Sequence, residues 1–296
     1  MRVRPPTLRR ALDVARRAAG LALAAGLALV ALAGLGAPAG AQALMIAPTA
    51  VVTTDRARTG ALTLINSGEH AAEVRLSTAY GYPVTDSAGA MTLRLAEPAG
   101  DSARSAVGWV RFFPERLTLA PGQRRTVRLL VSPPPGVPEG EYWSRLVIAA
   151  RRAAEPGAED HAPQIGIGLS LEVRSILALF YRHGRVATGV GLDSVRATPA
   201  GDSLAVRALL RRQGTAAFVG SLRAALRDAQ GTVRAEAALP LGVYYTLGPR
   251  LALPTRGLPA GRYALTVEAV STRPDLPATA MLQAVPERRV LSVTLP

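Results

Sequence analysis

Residues 165–181 read Ile-Gly-Ile-Gly-Leu-Ser-Leu-Glu-Val-Arg-Ser-Ile-Leu-Ala-Leu-Phe-Tyr. Apolar side chains first alternate with glycine, serine and charged residues, and the run then becomes almost wholly apolar. Alternation with a period of two is typical of a β-strand that has one face on a core. A strand of this length would extend about 55 Å, whereas most strands have about five or six residues. The stretch therefore predicts a β protein with one unusually long strand.

Short runs of strand-like sequence precede this stretch and are separated by glycine, proline and serine. We expect the first strand at Met45–Val52 and a hairpin around the turn residues Asp86–Gly89. The other strands expected in this half are Ala61–Asn66, Ala72–Ser77, Gly108–Phe113, Thr126–Val131 and Glu141–Ile148.

A second set of strand-like runs follows His183 and Gly184, and helical periodicity is absent from the pattern. The expected strands are Leu204–Leu210, Gly220–Leu226, Val233–Leu239, Val243–Leu247, Tyr263–Val270 and Val290–Thr294. Closely spaced strands without intervening helices predict an all-β fold of two antiparallel sandwiches. We expect the domains to span residues 44–182 and 183–296.

The N-terminus has the order of features of a secretory signal peptide. Residues 1–17 are rich in arginine, residues 18–35 are apolar, and the triplet Ala41-Gln42-Ala43 fits a small-residue cleavage site. The alternative is a membrane-spanning helix, for which the apolar run is at the short end. We expect residues 1–43 to be a signal peptide that is cleaved after Ala43, and the protein to be exported.

Composition limits the kinds of partner and chemistry. The net charge is +14, every basic side chain is arginine, and cysteine is absent. The arginines are scattered, which disfavours a nucleic-acid partner. Without cysteine the chain has no disulfide framework and no thiolate for catalysis or metal binding.

Catalysis finds no support in the sequence. The histidines His70, His161 and His183 are far apart, and no nucleophile, zinc-protease or phosphate-loop motif is present. Acidic residues show no pairing that indicates acid–base chemistry or a metal site. We expect no enzyme activity, no cofactor, no metal and no small-molecule substrate.

Four segments in order resemble the PapD-type periplasmic chaperones of pilus assembly. Leu62–Asn66 is similar to the family's second strand, which ends in asparagine. Phe113–Leu129 has the family's proline, Arg-Leu, Pro-Gly and Val-Arg-Leu elements in the same order. Glu139–Trp143 resembles the start of the sixth strand, and Leu179–Arg182 the end of the seventh. The resemblance implies two immunoglobulin-like domains in an L or boomerang arrangement, and a periplasmic chaperone of fimbrium biogenesis.

The resemblance also implies a mode of action, donor-strand complementation, and a partner. In the family the seventh strand is inserted into a pilin-like subunit that lacks its last strand. The corresponding residues here are Leu169, Leu171 and Val173, and Ile165 and Ile167 extend the row. The alternation alone leaves open whether this row faces the chain's own core. The implied partner is a secreted β-domain subunit, with an outer-membrane usher left open as a second partner.

The sequence departs from the family at two anchor positions. The family binds the carboxyl terminus of the pilin with an arginine and a lysine, and the corresponding positions here are Ala50 and Ala178. Arg174 and Arg182 are candidate substitutes because they share strand parity with Ala178. The departure favours an alternative function, a non-catalytic immunoglobulin-like adaptor or structural protein of the cell envelope that has lost pilin anchoring.

The resemblance further implies a structural ion pair between domains. Arg128 and Glu141 occupy the positions of a buried pair that helps to set domain orientation in the family. The alternative is that both are solvated strand residues, which is the commoner environment of charged side chains on sheets.

Overall fold

The computed structural model of the protein describes residues 44–96, 104–153 and 171–296. The described residues before residue 184 form eleven strands. They are β1 Leu44–Ala47, β2 Ala50–Thr54, β3 Thr59–Asn66, β4 Ala72–Ala79, β5 Gly81–Thr85, β6 Met91–Leu95, β7 Val110–Phe113, β8 Arg116–Leu119, β9 Arg124–Val131, β10 Gly140–Arg152 and β11 Glu172–His183.

Eight further strands and one 3₁₀ turn follow residue 184. They are β12 Thr188–Ala200, β13 Ser203–Gly214, β14 Phe218–Arg227, β15 Val233–Val243, β16 Thr246–Leu247, β17 Arg250–Pro254, β18 Gly261–Val270, the 3₁₀ turn Ala278–Ala280 and β19 Glu287–Leu295. Within the described ranges no helix is long and apolar enough to cross a membrane.

The first sandwich packs a sheet of order β1-β3-β9-β7 against a sheet of order β2-β11-β10-β4-β8. Alternate residues of each strand enter the core, as Val127, Leu129 and Val131 do on β9. The largest fully buried side chains of this core are Leu62, Leu64, Leu76, Leu119, Leu129, Leu146, Ile148, Leu179 and Tyr181.

The second sandwich packs β12-β13-β16, with β17 also paired to β13, against a sheet of order β15-β14-β18-β19. Its core is separate from the first and contains Leu192, Leu204, Val206, Leu210, Phe218, Leu222, Leu226, Val243, Leu265 and Val267. The prediction of an all-β fold with two immunoglobulin-like sandwiches is confirmed. The division into domains at residues 182 and 183 stays a prediction, and the predicted signal peptide lies outside the described residues.

Two predicted strands are wrong in detail. Met45–Val52 is divided at Pro48, because β1 pairs with β3 in one sheet and β2 pairs with β11 in the other. Val243–Leu247 is also divided, since Tyr244 and Tyr245 leave the strand to pack against the first sandwich. The strands β8, β12 and β17 are absent from the sequence-based expectations, whereas the hairpin around Asp86–Gly89 is confirmed as β5 and β6.

An aromatic cluster joins the two sandwiches. Trp143 and Phe180 of the first sandwich pack with Tyr244 of the second. The ring centroids of Trp143 and Tyr244 are 4.8 Å apart. All three side chains are buried, so this contact is a small third core between the sandwiches.

The hairpin β5–β6 makes further contacts with the second sandwich. The hydroxyl groups of Tyr80, just before β5, and Tyr245 are 2.6 Å apart. The backbone N–H of Gly248 donates to Thr85 Oγ1, and that of Arg250 donates to the carbonyl of Gly89. The hairpin therefore connects the sandwiches beside the aromatic cluster.

Candidate functional site: an open strand edge and its buried end

The first half of β11 has a strand on one side only. β10 pairs antiparallel with β11 along its whole length, from Glu172 to His183. On the other side β2 pairs in parallel with Ala178–Arg182 alone. Within the described residues, the main-chain groups of residues 172–177 that face away from β10 therefore meet no strand. Such an edge can pair with a strand of another chain.

With the exception of Ile176, the apolar side chains at this open edge lie on the core face of the sheet. Leu177, Leu179 and Tyr181 are in the first core, and residues two apart on a strand share a face. Leu171 and Val173 therefore continue the same row beyond the core. Leu171 is 62% exposed and Val173 is half-buried. The orientation that alternation left open is thus resolved: one row is buried at its C-terminal end and exposed at its N-terminal end.

Three of the predicted donor residues cannot be placed. Ile165, Ile167 and Leu169 lie outside the described residues, and so does the N-terminal part of the predicted long strand. Their contribution to the donor row stays a prediction that extends what Leu171 and Val173 begin.

The two alanines at the family's anchor positions are neighbours in the structure. Ala50 on β2 is the register partner of Ala178 on β11. Ala50 is 3% exposed and belongs to the cluster with Trp143, Phe180 and Tyr244. The place is therefore apolar and closely packed, and neither alanine can bind a carboxylate.

A buried arginine that the sequence analysis missed lies on the same row. Arg145 on β10 is the register partner of Ala178, and it is 7% exposed. Its Nε donates to the carbonyl of Gly81 at 2.9 Å, and its guanidinium lies 5.0 Å from the ring centroid of Tyr244. Its Nη2 is buried and has no hydrogen-bond partner. A buried cation without a carboxylate is costly, and a group that supplies one would relieve that cost.

Glu141 pairs with Arg182, so the implied pair between Arg128 and Glu141 is wrong. Glu141 is 1% exposed, and its Oε2 lies 2.9 Å from Arg182 Nε. Its Oε1 accepts hydrogen bonds from Trp143 Nε1 and from the backbone N–H of Ala217. Arg128 is exposed on β9 in the opposite sheet, because the adjacent residues of β9 take the core positions.

The two candidate substitute anchors already have partners within the chain. Arg182 binds Glu141 and also donates to the carbonyl of Ala280 at 2.7 Å. Arg174 forms an exposed ion pair with Glu172 at 2.6 Å. Arg182 therefore contributes to the contact between sandwiches, and Arg145 has a more suitable position than either candidate for binding an added carboxylate.

A hydrogen-bond cluster holds the end of β11. Asp55 Oδ1 accepts from the Tyr181 hydroxyl at 2.6 Å and lies 2.8 Å from His183 Nδ1, while Oδ2 accepts from the Gly184 N–H. The bonds from Tyr181, Gly184 and His183 hold the pKa of Asp55 well below its ordinary value. Burial, together with the bond to Asp55, raises the pKa of Tyr181 to about 12. No sequence motif indicates this cluster, because Asp55 is far from Tyr181 and His183 along the chain.

The described residues do not assemble a metal site. No group of three or more histidine, cysteine, aspartate or glutamate side chains there could hold a metal ion. The absence of a metal, a cofactor and catalysis stays a prediction.

Comparison with known proteins yields structural neighbours alone. No protein-family model matches the chain, and no curated protein matches at the significance threshold of the search. A structure of the Salmonella enterica SafA pilin in complex with the SafB chaperone is similar at 15% identity and a TM-score of 0.42, covering 87% of this chain and 100% of that one. The class 5 fimbriae chaperone CfaA is similar at 9% identity and a TM-score of 0.42, with coverage of 84% and 98%. The Escherichia coli chaperone DraB has 16% identity, a TM-score of 0.37 and coverage of 76% and 91%.

All three are structures of chaperones or of a chaperone complex. The identities are low, and these similarities concern the fold. A similar fold does not by itself determine function.

Proposed function

We propose that the protein is a non-catalytic periplasmic chaperone that binds an incomplete β-domain of a secreted, pilin-like subunit. The observation that carries the proposal is the open edge of β11, residues 172–177, with the exposed Leu171 at its start. The edge offers main-chain hydrogen bonds, and the apolar row offers side chains for a groove in the client. This is donor-strand complementation, a form of β-strand addition.

The apolar row adds to the affinity that the main-chain hydrogen bonds provide. Full burial of a leucine or valine side chain contributes about 1.5–3 kcal/mol. Leu171 is largely exposed in the free protein, so most of that contribution is available to a client. Burial of Leu171 and Val173 in a groove would also fix the register, since a shift by one residue turns the row to the other face.

Arg145 defines the end of the proposed client strand. The open edge ends at Ala178, where β2 begins to pair, so an added strand has to end beside that row. Arg145 lies on the same row with its Nη2 unpaired. A carboxyl terminus would satisfy this cation, whereas an amino terminus would place two positive charges together. We therefore expect the client strand to run parallel to β11 and to end in its own carboxylate.

A second candidate function is an adaptor of the cell envelope. The packing of Ala50 and Ala178 into the aromatic cluster favours it, because that cluster fills the family's anchor positions. An adaptor would bind folded partners and would not protect a secreted subunit from degradation. An outer-membrane usher as a further partner rests on the family resemblance alone.

The test is site-specific crosslinking of the tagged protein in its native periplasm. A photo-crosslinking amino acid replaces Leu171 in one sample and Val290 on β19 in another, since the two side chains are 62% and 61% exposed. The proposal expects one secreted β-domain subunit, near one-to-one, crosslinked at position 171 and not at 290. Equal crosslinking at both positions, or folded partners alone, would exclude the chaperone function and favour the adaptor.

A further inference from the structure

The outer face of the sheet β1-β3-β9-β7 combines arginine with exposed apolar side chains and contains no acidic residue. On each strand the residues that alternate with the core positions point outward. In register from strand to strand, these outward positions are Met45, Ala47, Thr59, Ala61, Thr63, Ile65, Arg124, Thr126, Arg128, Leu130, Arg111 and Phe113. We call this set the arginine face.

The charged and apolar groups of the arginine face are available to a partner. Arg111, Arg124 and Arg128 are exposed, and none of the three side chains makes a hydrogen bond or ion pair with another described residue. Met45 is 60% exposed and Phe113 is 55% exposed. A shallow depression beside Phe113 and Arg128 adds shape to an otherwise flat sheet.

The arginine-rich composition of the chain does not account for this face. The outer face of the sheet β15-β14-β18-β19 has the same architecture and mixes its charges. There Arg223 is the register partner of Glu268, which is the register partner of Arg288. Acidic residues thus accompany arginine on this exposed sheet, as Glu236 and Glu268 do, whereas the arginine face has none.

We propose that the arginine face binds an acidic surface of another protein. Arginine, methionine and phenylalanine are the residue types enriched at protein interfaces, and arginine binds carboxylates through two hydrogen bonds. A second copy of this chain is a poor candidate for the partner, because a two-fold symmetric contact would place the arginines of both copies against each other. A membrane is also a poor occupant, because Met45 and Phe113 lie on opposite edge strands and form no continuous apolar face.

The area of the arginine face indicates a transient contact with its partner. Four strands at about 4.8 Å spacing and four register rows cover on the order of 400 Å². A stable interface buries about 800 Å² on each partner. The proposal is independent of the chaperone function, because the arginine face and the edge of β11 lie on different sheets of the first sandwich.

The probe is a fluorescent peptide of glutamate, phenylalanine and proline, whose prolines prevent it from pairing with a strand edge. A second peptide has lysine in place of glutamate. Binding is measured by fluorescence anisotropy at 50 and 300 mM salt, and its location by amide chemical shifts of the labelled protein.

The test variant is Arg111→Glu with Arg128→Glu. The matched control is Arg223→Glu with Arg288→Glu, which makes the same change in net charge on the other exposed sheet.

We expect the acidic peptide alone to bind, with shifts confined to the arginine face and weaker binding at high salt. The test variant should lose at least tenfold in affinity and the control less than twofold. Equal losses in both variants would show a response to net charge only and would overturn the proposal. Preferential binding of anionic vesicles, or self-association that depends on the arginine face, would replace the proposed partner with a membrane or a second copy. Retention of peptide binding by Leu171→Glu would separate this result from the chaperone test.

Discussion

Ala50 and Ala178 are register partners on the parallel strands β2 and β11, and Arg145 on β10 extends their row. The three positions meet where the open edge of β11 ends and the contact with the second sandwich begins. Two small side chains let the aromatic cluster of Trp143 and Tyr244 approach the sheet. The buried positive charge of this row therefore lies on β10, one strand away from where the family resemblance predicts it.

Ala50→Arg is expected to destabilise the protein. Ala50 is 3% exposed within the aromatic cluster, so an arginine there overpacks the contact and buries an unpaired charge. We expect a loss of about 3 kcal/mol or more in the free energy of unfolding, measured by urea denaturation. Ala238→Arg, on an exposed position of β15, is the control and should change stability by less than about 0.5 kcal/mol. Equal effects would mean that the cluster tolerates a family-like anchor.

Leu171→Glu is expected to reduce client capture by at least tenfold without affecting the fold. The side chain is 62% exposed, so the substitution costs the free protein little, whereas it places a charge in an apolar groove of the client. Capture is measured as the amount of subunit that co-purifies from the periplasm, and the fold by thermal unfolding. Val290→Glu, at 61% exposure on β19, serves as control. Undiminished capture by Leu171→Glu would refute donor-strand binding at this edge.

Arg145→Met separates a binding role of the arginine from a structural one. Methionine fills similar volume and removes a buried cation that lacks a carboxylate. We expect the free energy of unfolding to stay equal or to rise by about 1–4 kcal/mol, while client affinity falls at least tenfold. Arg75→Met, on an exposed position of β4, should change neither quantity. A loss of stability with unchanged affinity would assign Arg145 to the fold alone.

Glu141→Gln is expected to cost about 3–5 kcal/mol, because it leaves the Arg182 guanidinium buried without its carboxylate. Chemical denaturation measures the difference. The matched control is Glu172→Gln, whose ion pair with Arg174 is exposed and should contribute at most about 1 kcal/mol. Similar losses of stability in the two variants would show that the buried Glu141–Arg182 pair stabilises the fold no more than the exposed Glu172–Arg174 pair does.

Stability is expected to fall with acidification through Asp55. Its pKa in the folded protein is lowered by the hydrogen bonds from Tyr181, Gly184 and His183. The ionised carboxylate therefore stabilises the fold above the unfolded-state pKa of about 3.9, and this contribution is lost as the pH falls below that value. Urea denaturation at pH 6.5, 4 and 3 should show a smaller pH dependence for Asp55→Asn. Asp202→Asn, in an exposed ion pair, should behave as the unchanged protein, and an Asp55→Asn profile identical to it would contradict the assignment.

Features that depend on neighbouring residues could be predicted from the sequence. Period-two alternation predicts most of the strands, and turn residues predict the hairpin at Asp86–Gly89. Pro48 and Tyr244 show the limit of this reasoning. Each interrupts an apolar run at a point where the chain changes sheet, and the reason for that change lies in the packing of the two sandwiches.

The sequence by itself determined the all-β fold, and it identified Ala50 and Ala178 as the residues at the family's anchor positions. Both follow from alternation and short motifs, which are local properties of the chain. The tertiary structure alone decided that Glu141 pairs with Arg182, that Arg145 is buried beside Ala178, and that Leu171 is largely exposed. These relationships join residues of different strands, and their energies depend on burial and on the distance between charges. Neither quantity is encoded in the spacing of residues along the chain; both arise only when the sheets pack.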